Sequence, residues 1–109
     1  AWVTPHHSSA AEGGLPSPLV FLSHAAARTS RIRLGTAIIT LPMENGVRVA
    51  EDAAAADALS GGRLEIGLGP GGNPKSFPAF GTTFDDRRTV FADNLAALRT
   101  LFAGDALAA

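Results

Sequence analysis

The chain has 109 residues, no cysteine, 46% apolar residues and a formal net charge of -1 at pH 7. These values fit one globular domain or part of a larger one. A near-zero charge without clustered cations, and no apolar run of the roughly 18 residues that span a bilayer, lead us to expect no nucleic-acid or membrane partner. A cytoplasmic location is compatible with the absence of cysteine and of a signal-peptide pattern.

Strand and helix patterns alternate along the chain. Short runs rich in branched apolar residues predict strands, and apolar residues at helical spacing predict helices. In chain order the predicted elements are a strand end at Ala1–Thr4, a helix Pro18–Arg28, a strand Ile32–Ile39, a helix Val47–Leu59, a strand Arg63–Leu68, and a helix capped by Asp85 or Asp86 and stopped at Gly104. The second helix is predicted to be capped by Asn45, to end at Gly61–Gly62, and to carry an apolar stripe of Val47, Ala50, Ala54 and Ala58. This alternation predicts an α/β fold with three parallel strands paired in sequence order and three helices.

The predicted connections differ in length on the two sides of the strands. Long loops follow the strands at Pro5–Ser17, Thr40–Asn45 and Gly69–Phe84, whereas tight turns precede them at Thr29–Arg31 and Ser60–Gly62. In a barrel of parallel strands the active site lies at the carboxyl ends of the strands. We therefore expect the three long loops to gather at one rim, which would be the active face.

Two adjacent histidines, His6 and His7, follow the first predicted strand. Histidine titrates near neutrality and is a common general acid or base. Neighbouring residues of an extended chain point in opposite directions, so at most one of the pair faces the barrel mouth. The alternative is two solvent-exposed loop histidines. Because neither cysteine nor a suitably spaced carboxylate accompanies the pair, we expect no metal site.

The glycine-rich segment Gly67–Gly72 formally matches the dinucleotide-binding pattern G-x-G-x-x-G. That mechanism needs a helix that begins at the glycines, and Pro70, Pro74 and Pro78 prevent one. Two interpretations remain open. The segment is either a plain flexible loop or a backbone that lies flat against a planar ligand.

Small side chains and isolated cations are weaker indications of a binding site than the histidine pair. Thr36 and Ala37 end a buried strand, where they either pack in the core or leave room for a ring system. Lys75, Arg87 and Arg88 are isolated cations that could contact a phosphate, although a solvated surface position is the expectation from pattern alone.

Five motifs occur in the order found in one family of flavin enzymes. They are HH after a tryptophan-bearing strand, RTSRIRLGT, the helix start VRVAED, the turn and strand SGGRLEIGLG, and the FG of the following loop. Together they resemble the bacterial luciferase-like monooxygenases from Trp2 to about Phe102. The resemblance implies a TIM (β/α)8 barrel, of which residues 1–109 would be a fragment of a single domain carrying about strands two to four. A whole barrel needs ~250 residues.

The resemblance also implies a function. The cofactor would be reduced FMN supplied by a flavin reductase, and its C4a-peroxyflavin would transfer oxygen from O2 to a small organic substrate. An F420-dependent oxidoreductase of the same fold and a non-catalytic flavoprotein or partner subunit are the alternatives. Family members dimerise through the region of the first two helices, so a homodimer is implied for the full-length protein. The fragment alone is expected to be inactive.

Five positions acquire roles from the resemblance. His6 matches the active-site histidine near the flavin C4a edge. The segment Thr36, Ala37 and Ile38 matches the strand end that packs on the isoalloxazine ring, where a non-proline cis peptide is typical. Gly69 matches a position beside the flavin.

Three positions depart from the family pattern. Pro5 stands where a glutamate usually precedes the histidine pair, and Gly46 replaces a usual proline. Pro70 stands where luciferase has an arginine for the flavin phosphate, so phosphate contacts would come from elsewhere.

Overall fold

The computed structural model describes residues 1–4 and 16–104. This part contains three strands, β1 (Trp2–Val3), β2 (Leu34–Thr40) and β3 (Leu64–Gly69), and three α-helices, α1 (Pro18–Ala27), α2 (Gly46–Leu59) and α3 (Arg87–Phe102). Short 3-10 helices lie at Leu41–Met43, Pro74–Ser76 and Pro78–Phe80. The predicted alternation of strands and helices is confirmed, with boundaries that differ by one or two residues.

The three strands form one parallel sheet in the order β1-β2-β3, with β2 in the centre. Trp2 lies opposite Gly35, and Val3 lies opposite Thr36. The predicted pairing of neighbouring strands is therefore confirmed. The second strand begins later than predicted, because Ile32 lies outside the ladder with 46% of its surface exposed.

The described residues fall into two compact units. The first unit contains residues 1–39 and 52–68, and the second contains 40–51 and 69–104. In the first unit, α1 packs on the sheet through a buried cluster of Leu22, Ala26 and Leu34. Proline at the first turn favours the start of α1, although the side chain of the preceding Ser17 makes no capping bond.

The buried face of α2 matches the predicted stripe only in part. Ala50 is buried as predicted, but Ala54 and Ala58 are exposed, and Ala53 is buried in their place with 2% of its surface exposed. The alanine run has the same hydrophobicity on every side, so the sequence pattern alone does not select the buried face. The start was predicted correctly, since the Asn45 side chain accepts the amides of the second and third helical residues at 2.9 and 3.2 Å.

The guanidinium of Arg63 ties together the turns of the first unit that precede β2 and β3. Its Nε donates to the carbonyl of Ser60 at 2.6 Å, at the end of α2. Its Nη1 donates to Thr29 Oγ1 at 2.9 Å and to the Ile32 carbonyl at 3.0 Å. Its Nη2 donates to the carbonyls of Ala26 and Thr29 at 3.0 and 3.2 Å. One side chain thus joins the last turn of α1 to the turns that precede β2 and β3.

In the second unit, Asn94 of α3 holds the segment that follows β2. Its side-chain amide donates to the carbonyls of Leu41 and Glu44, both at 3.0 Å. A Cβ at Gly46 would lie 2.9 Å from the Asn94 carbonyl oxygen, closer than real side chains pack. Glycine at position 46 therefore fits the close approach of α3 to the start of α2.

Candidate functional site

The predicted catalytic residue lies outside the described residues. His6, with Pro5, His7 and most of the first long loop, falls in residues 5–15. The nearest described residue is Thr4, whose hydroxyl donates to the carbonyl of Ala37 at 2.8 Å. The chain therefore passes beside the middle of β2 two residues before His6.

Thr36 is the most buried of the predicted cofactor residues. Its side chain is 0% exposed. The hydroxyl donates to the carbonyl of Gly67 at 2.9 Å and accepts the Gly67 amide at 2.9 Å. It therefore cross-links β2 to β3 inside the first unit.

Ala37 and Ile38 present a different environment. Ala37 is exposed although it lies on the central strand, and Ile38 is only partly buried. The peptide bond between the two residues is cis. The exposed methyl group of Ala37 and the partly buried Ile38 leave an open apolar surface, against which a planar ring system could lie. Ala37 and Ile38 are two of the positions to which the resemblance assigns contact with a flavin ring.

Two residues that the sequence reasoning did not select extend this surface. Gly35 and Ala37 share one face of β2, because side chains alternate along a strand. A Cβ at Gly35 would clash with the ring of Trp2, which lies against it and is 60% exposed. The face thus carries an indole, a glycine backbone and a methyl group. In the sequence, Trp2 stood out only as part of the motif that precedes the histidine pair. No sequence pattern indicated a role for Gly35.

Gly69 belongs to the second unit, where it is buried at the end of β3. Two residues later, Gly71 has a φ of 82°, in the left-handed region that favours glycine. A Cβ there would lie 2.6 Å from Thr40 Cγ2 and 3.2 Å from the Phe77 ring. Two of the three long loops that were expected to gather therefore do contact each other. The third lies mostly outside the described residues.

The three isolated cations of the sequence have different environments. Lys75 and Arg88 are exposed, as expected from their pattern. The same expectation is wrong for Arg87, whose guanidinium carbon lies 3.7 Å from the centre of the Phe84 ring. Its Nη1 donates to the Phe84 carbonyl at 2.9 Å, and Phe84 packs edge-on against Phe77 at 5.5 Å. Arg87 is partly buried because an aromatic residue of the preceding loop covers it, and cation–π attraction favours this packing.

Among residues 1–4 and 16–104, histidine, cysteine and carboxylate side chains form no group of three that could hold a metal ion. The helices of this same part of the chain are too short or too polar to cross a membrane.

Comparison with known proteins identifies relatives of the whole segment. The model of the family described as luciferase-like monooxygenase matches residues 1–109. The 4-hydroxyprotoasukamycin monooxygenase of Streptomyces nodosus subsp. asukaensis is 40% identical over 104 residues, which make up 95% of this chain and 28% of that protein.

Solved structures agree with the sequence match. Monooxygenase RslO1 from Streptomyces bottropensis has a TM-score of 0.86 at 34% identity, over 92% of this chain and 30% of that one. The oxygenating constituent of the 3,6-diketocamphane monooxygenase of Pseudomonas putida, solved in complex with FMN, shares the fold with a TM-score of 0.84 at 20% identity, over 92% and 28% of the two chains. The segment spans less than a third of these relatives. It belongs to the luciferase-like monooxygenase family, and its parallel strands and helices form part of that family's TIM-barrel fold.

Proposed function

We propose that the protein containing this chain is a flavin-dependent monooxygenase. It uses reduced FMN, delivered by a flavin reductase, and O2 to oxygenate a small organic substrate. The observation that carries this proposal is the open apolar surface at Ala37–Ile38 on the central strand, in a chain of the luciferase-like monooxygenase family. A relative named as a monooxygenase at 40% identity supports the reaction class.

The residues of this chain would bind and orient the cofactor. Ala37 and Ile38 would lie against the flavin ring, and the backbone at Gly69 would approach the flavin because glycine has no side chain. Bound flavin supplies the reaction with O2, which no side chain performs. His6 would donate or accept a proton at the reactive edge of the ring.

We assign residues 1–109 to a single TIM-barrel domain, of which they would form about strands two to four. The length of the relatives supports this assignment, because the chain covers 28% and 30% of two of them. The remaining strands and loops would complete the rim and contribute the contacts to the flavin phosphate.

Titration with flavin tests both the proposed cofactor of the complete protein and the expected weak binding by the 109-residue segment. Reduced FMN, titrated without oxygen into the complete protein, should bind with micromolar affinity or better. The 109-residue segment should bind it far more weakly, because half of the rim is absent and the outer strands keep unpaired edges. F420 serves as the second ligand in the same experiment.

The titration separates FMN from F420 as the cofactor, and formation of an oxygenated product from O2 separates an enzyme from a non-catalytic flavoprotein that binds FMN. Preference for F420 would replace the monooxygenase by an F420-dependent oxidoreductase. Failure of both flavins would indicate a non-catalytic partner subunit. Micromolar affinity of the isolated segment for FMN would contradict the expected requirement for the whole barrel.

A homodimer is the second part of the proposal. In the first unit, Val20 and Phe21 of α1 and Leu59 of α2 are 73%, 48% and 72% exposed, and Ala54 and Ala55 are exposed as well. We expect α1 and α2 to form the dimer contact, because small and apolar side chains allow close helix packing. Sedimentation of the complete protein at micromolar concentration should give twice the monomer mass, and a strictly monomeric species would refute the contact.

A further inference from the structure

Both main-chain groups of Gly67 bond to one side chain of the neighbouring strand. The amide donates to Thr36 Oγ1, and the carbonyl accepts from the same hydroxyl, each at 2.9 Å. The two residues are 31 positions apart in the sequence. The local path of β3 beside β2 therefore depends on a side chain.

The hydroxyl of Thr36 has no further proton to offer. A threonine hydroxyl carries one donor, and here that donor is engaged by Gly67. The side chain is also 0% exposed. It is therefore placed to hold β3, and it has no exposed atom with which to touch a ligand.

Gly67 has no side chain, and its absence allows the close approach of β3 to β2. A Cβ at position 67 would collide with the carbonyl oxygen of Thr36 and would lie 3.4 Å from Ile38 Cγ2. The close approach of the two strands thus needs glycine on β3 and a short hydroxyl side chain on β2. Ala37, next to Thr36, is exposed and belongs to the surface that fits the flavin ring.

We propose that Thr36 is a positioning residue for the flavin surface. Its hydroxyl fixes Gly67, and thereby the path of β3 beside Ala37 and Ile38, without contact between its own side chain and the flavin. This inference rests on the proposed flavin-dependent function and deepens it. It separates Thr36, which acts through a neighbouring strand, from Ala37 and Ile38, which would meet the ring directly.

Three variants of the complete protein test this role. Thr36→Val keeps the shape and removes the hydroxyl, whereas Thr36→Ser keeps the hydroxyl. Thr100→Val is the matched control, because that hydroxyl donates to the Ala96 carbonyl within α3. Amide exchange at Gly67 is followed by NMR without flavin, and the affinity for reduced FMN is measured by titration.

The expected results differ between the variants. Thr36→Val should speed exchange of the Gly67 amide and weaken FMN binding, each by about tenfold, because a partly buried donor and acceptor lose the bond to this hydroxyl. Thr36→Ser and Thr100→Val should match the wild type in both measurements. Rescue by serine shows that the hydroxyl acts, since the methyl group is lost in that variant.

Several results would overturn the inference. One is wild-type exchange at Gly67 or wild-type FMN affinity in Thr36→Val. Another is a tenfold loss of FMN affinity in Thr36→Ser, which also decides the question if Thr36→Val does not fold. Wild-type protein that binds no flavin would overturn the proposed function together with this inference, whereas wild-type binding with unaltered Thr36→Val affinity would overturn the inference alone.

Discussion

Replacement of His6 by alanine in the complete protein is expected to slow flavin-dependent turnover by about 10²–10⁴-fold, the usual contribution of a positioned general acid or base. The family resemblance assigns this histidine to the reactive edge of the flavin. The described structure adds that Thr4, two residues earlier, bonds to the Ala37 carbonyl on the proposed flavin surface. Stopped-flow measurement of reduced-flavin oxidation by O2 gives the rate, and titration should show nearly unaltered FMN affinity.

His7→Ala is the matched control for this prediction. Adjacent side chains of an extended segment diverge, so only one of the pair should face the flavin. The control should lose much less activity than His6→Ala. Equal activity of His6→Ala and the wild type would end the assignment, and a large loss confined to His7→Ala would transfer it to the neighbouring histidine.

Replacement of Arg63 by methionine is expected to lower the free energy of unfolding by about 2–4 kcal/mol, since hydrogen bonds from a charged donor are worth more than neutral ones. The guanidinium makes five hydrogen bonds, and these join the end of α1, the turn before β2 and the end of α2. Methionine keeps the apolar stem and removes every donor. Urea denaturation of the complete protein measures the loss.

Two further variants show whether the geometry of the guanidinium matters. Arg63→Lys keeps the charge but not the planar fork, so it should lose most of the same stability. Arg31→Met removes an exposed arginine of the neighbouring turn and should change the stability little. A free energy of unfolding of Arg63→Met equal to that of the wild type would show that the hydrogen bonds of Arg63 do not stabilise the first unit. Equal losses of unfolding free energy in Arg63→Met and Arg31→Met would show the same.

The fold was predictable from the sequence because local signals agreed with one another. Asn45 is observed to cap α2, and Gly61 and Gly62, with φ of 70° and 82°, end it as the sequence predicted. Alternating strands and helices with short return turns leave parallel pairing as the favoured topology. The face that α2 buries was not predictable, because a run of alanines has no hydrophobic periodicity from which to select Ala53 over Ala54.

The candidate site was predictable only as a segment of chain. The small side chains of Thr36 and Ala37 on a predicted strand indicated the segment, although the strand continues to Thr40. The bond of Thr36 to Gly67 links residues 31 positions apart. No sequence pattern reports such a contact. The packing of Arg87 against Phe84 could not be predicted for a related reason, because an irregular loop sets the position of the Phe84 ring. Gly67 did carry a signal, because glycine inside a strand often marks a close approach of another backbone.

A crystal structure of the complete protein with FMN tests the proposed function most directly. We expect the isoalloxazine ring to lie against Ala37 and Ile38, with His6 within hydrogen-bond reach of its reactive edge. The Thr36 hydroxyl should remain bonded to Gly67 and make no contact with the flavin. A flavin bound elsewhere in the barrel, with His6 directed to solvent, would contradict both the assignment of the surface and the role of the histidine.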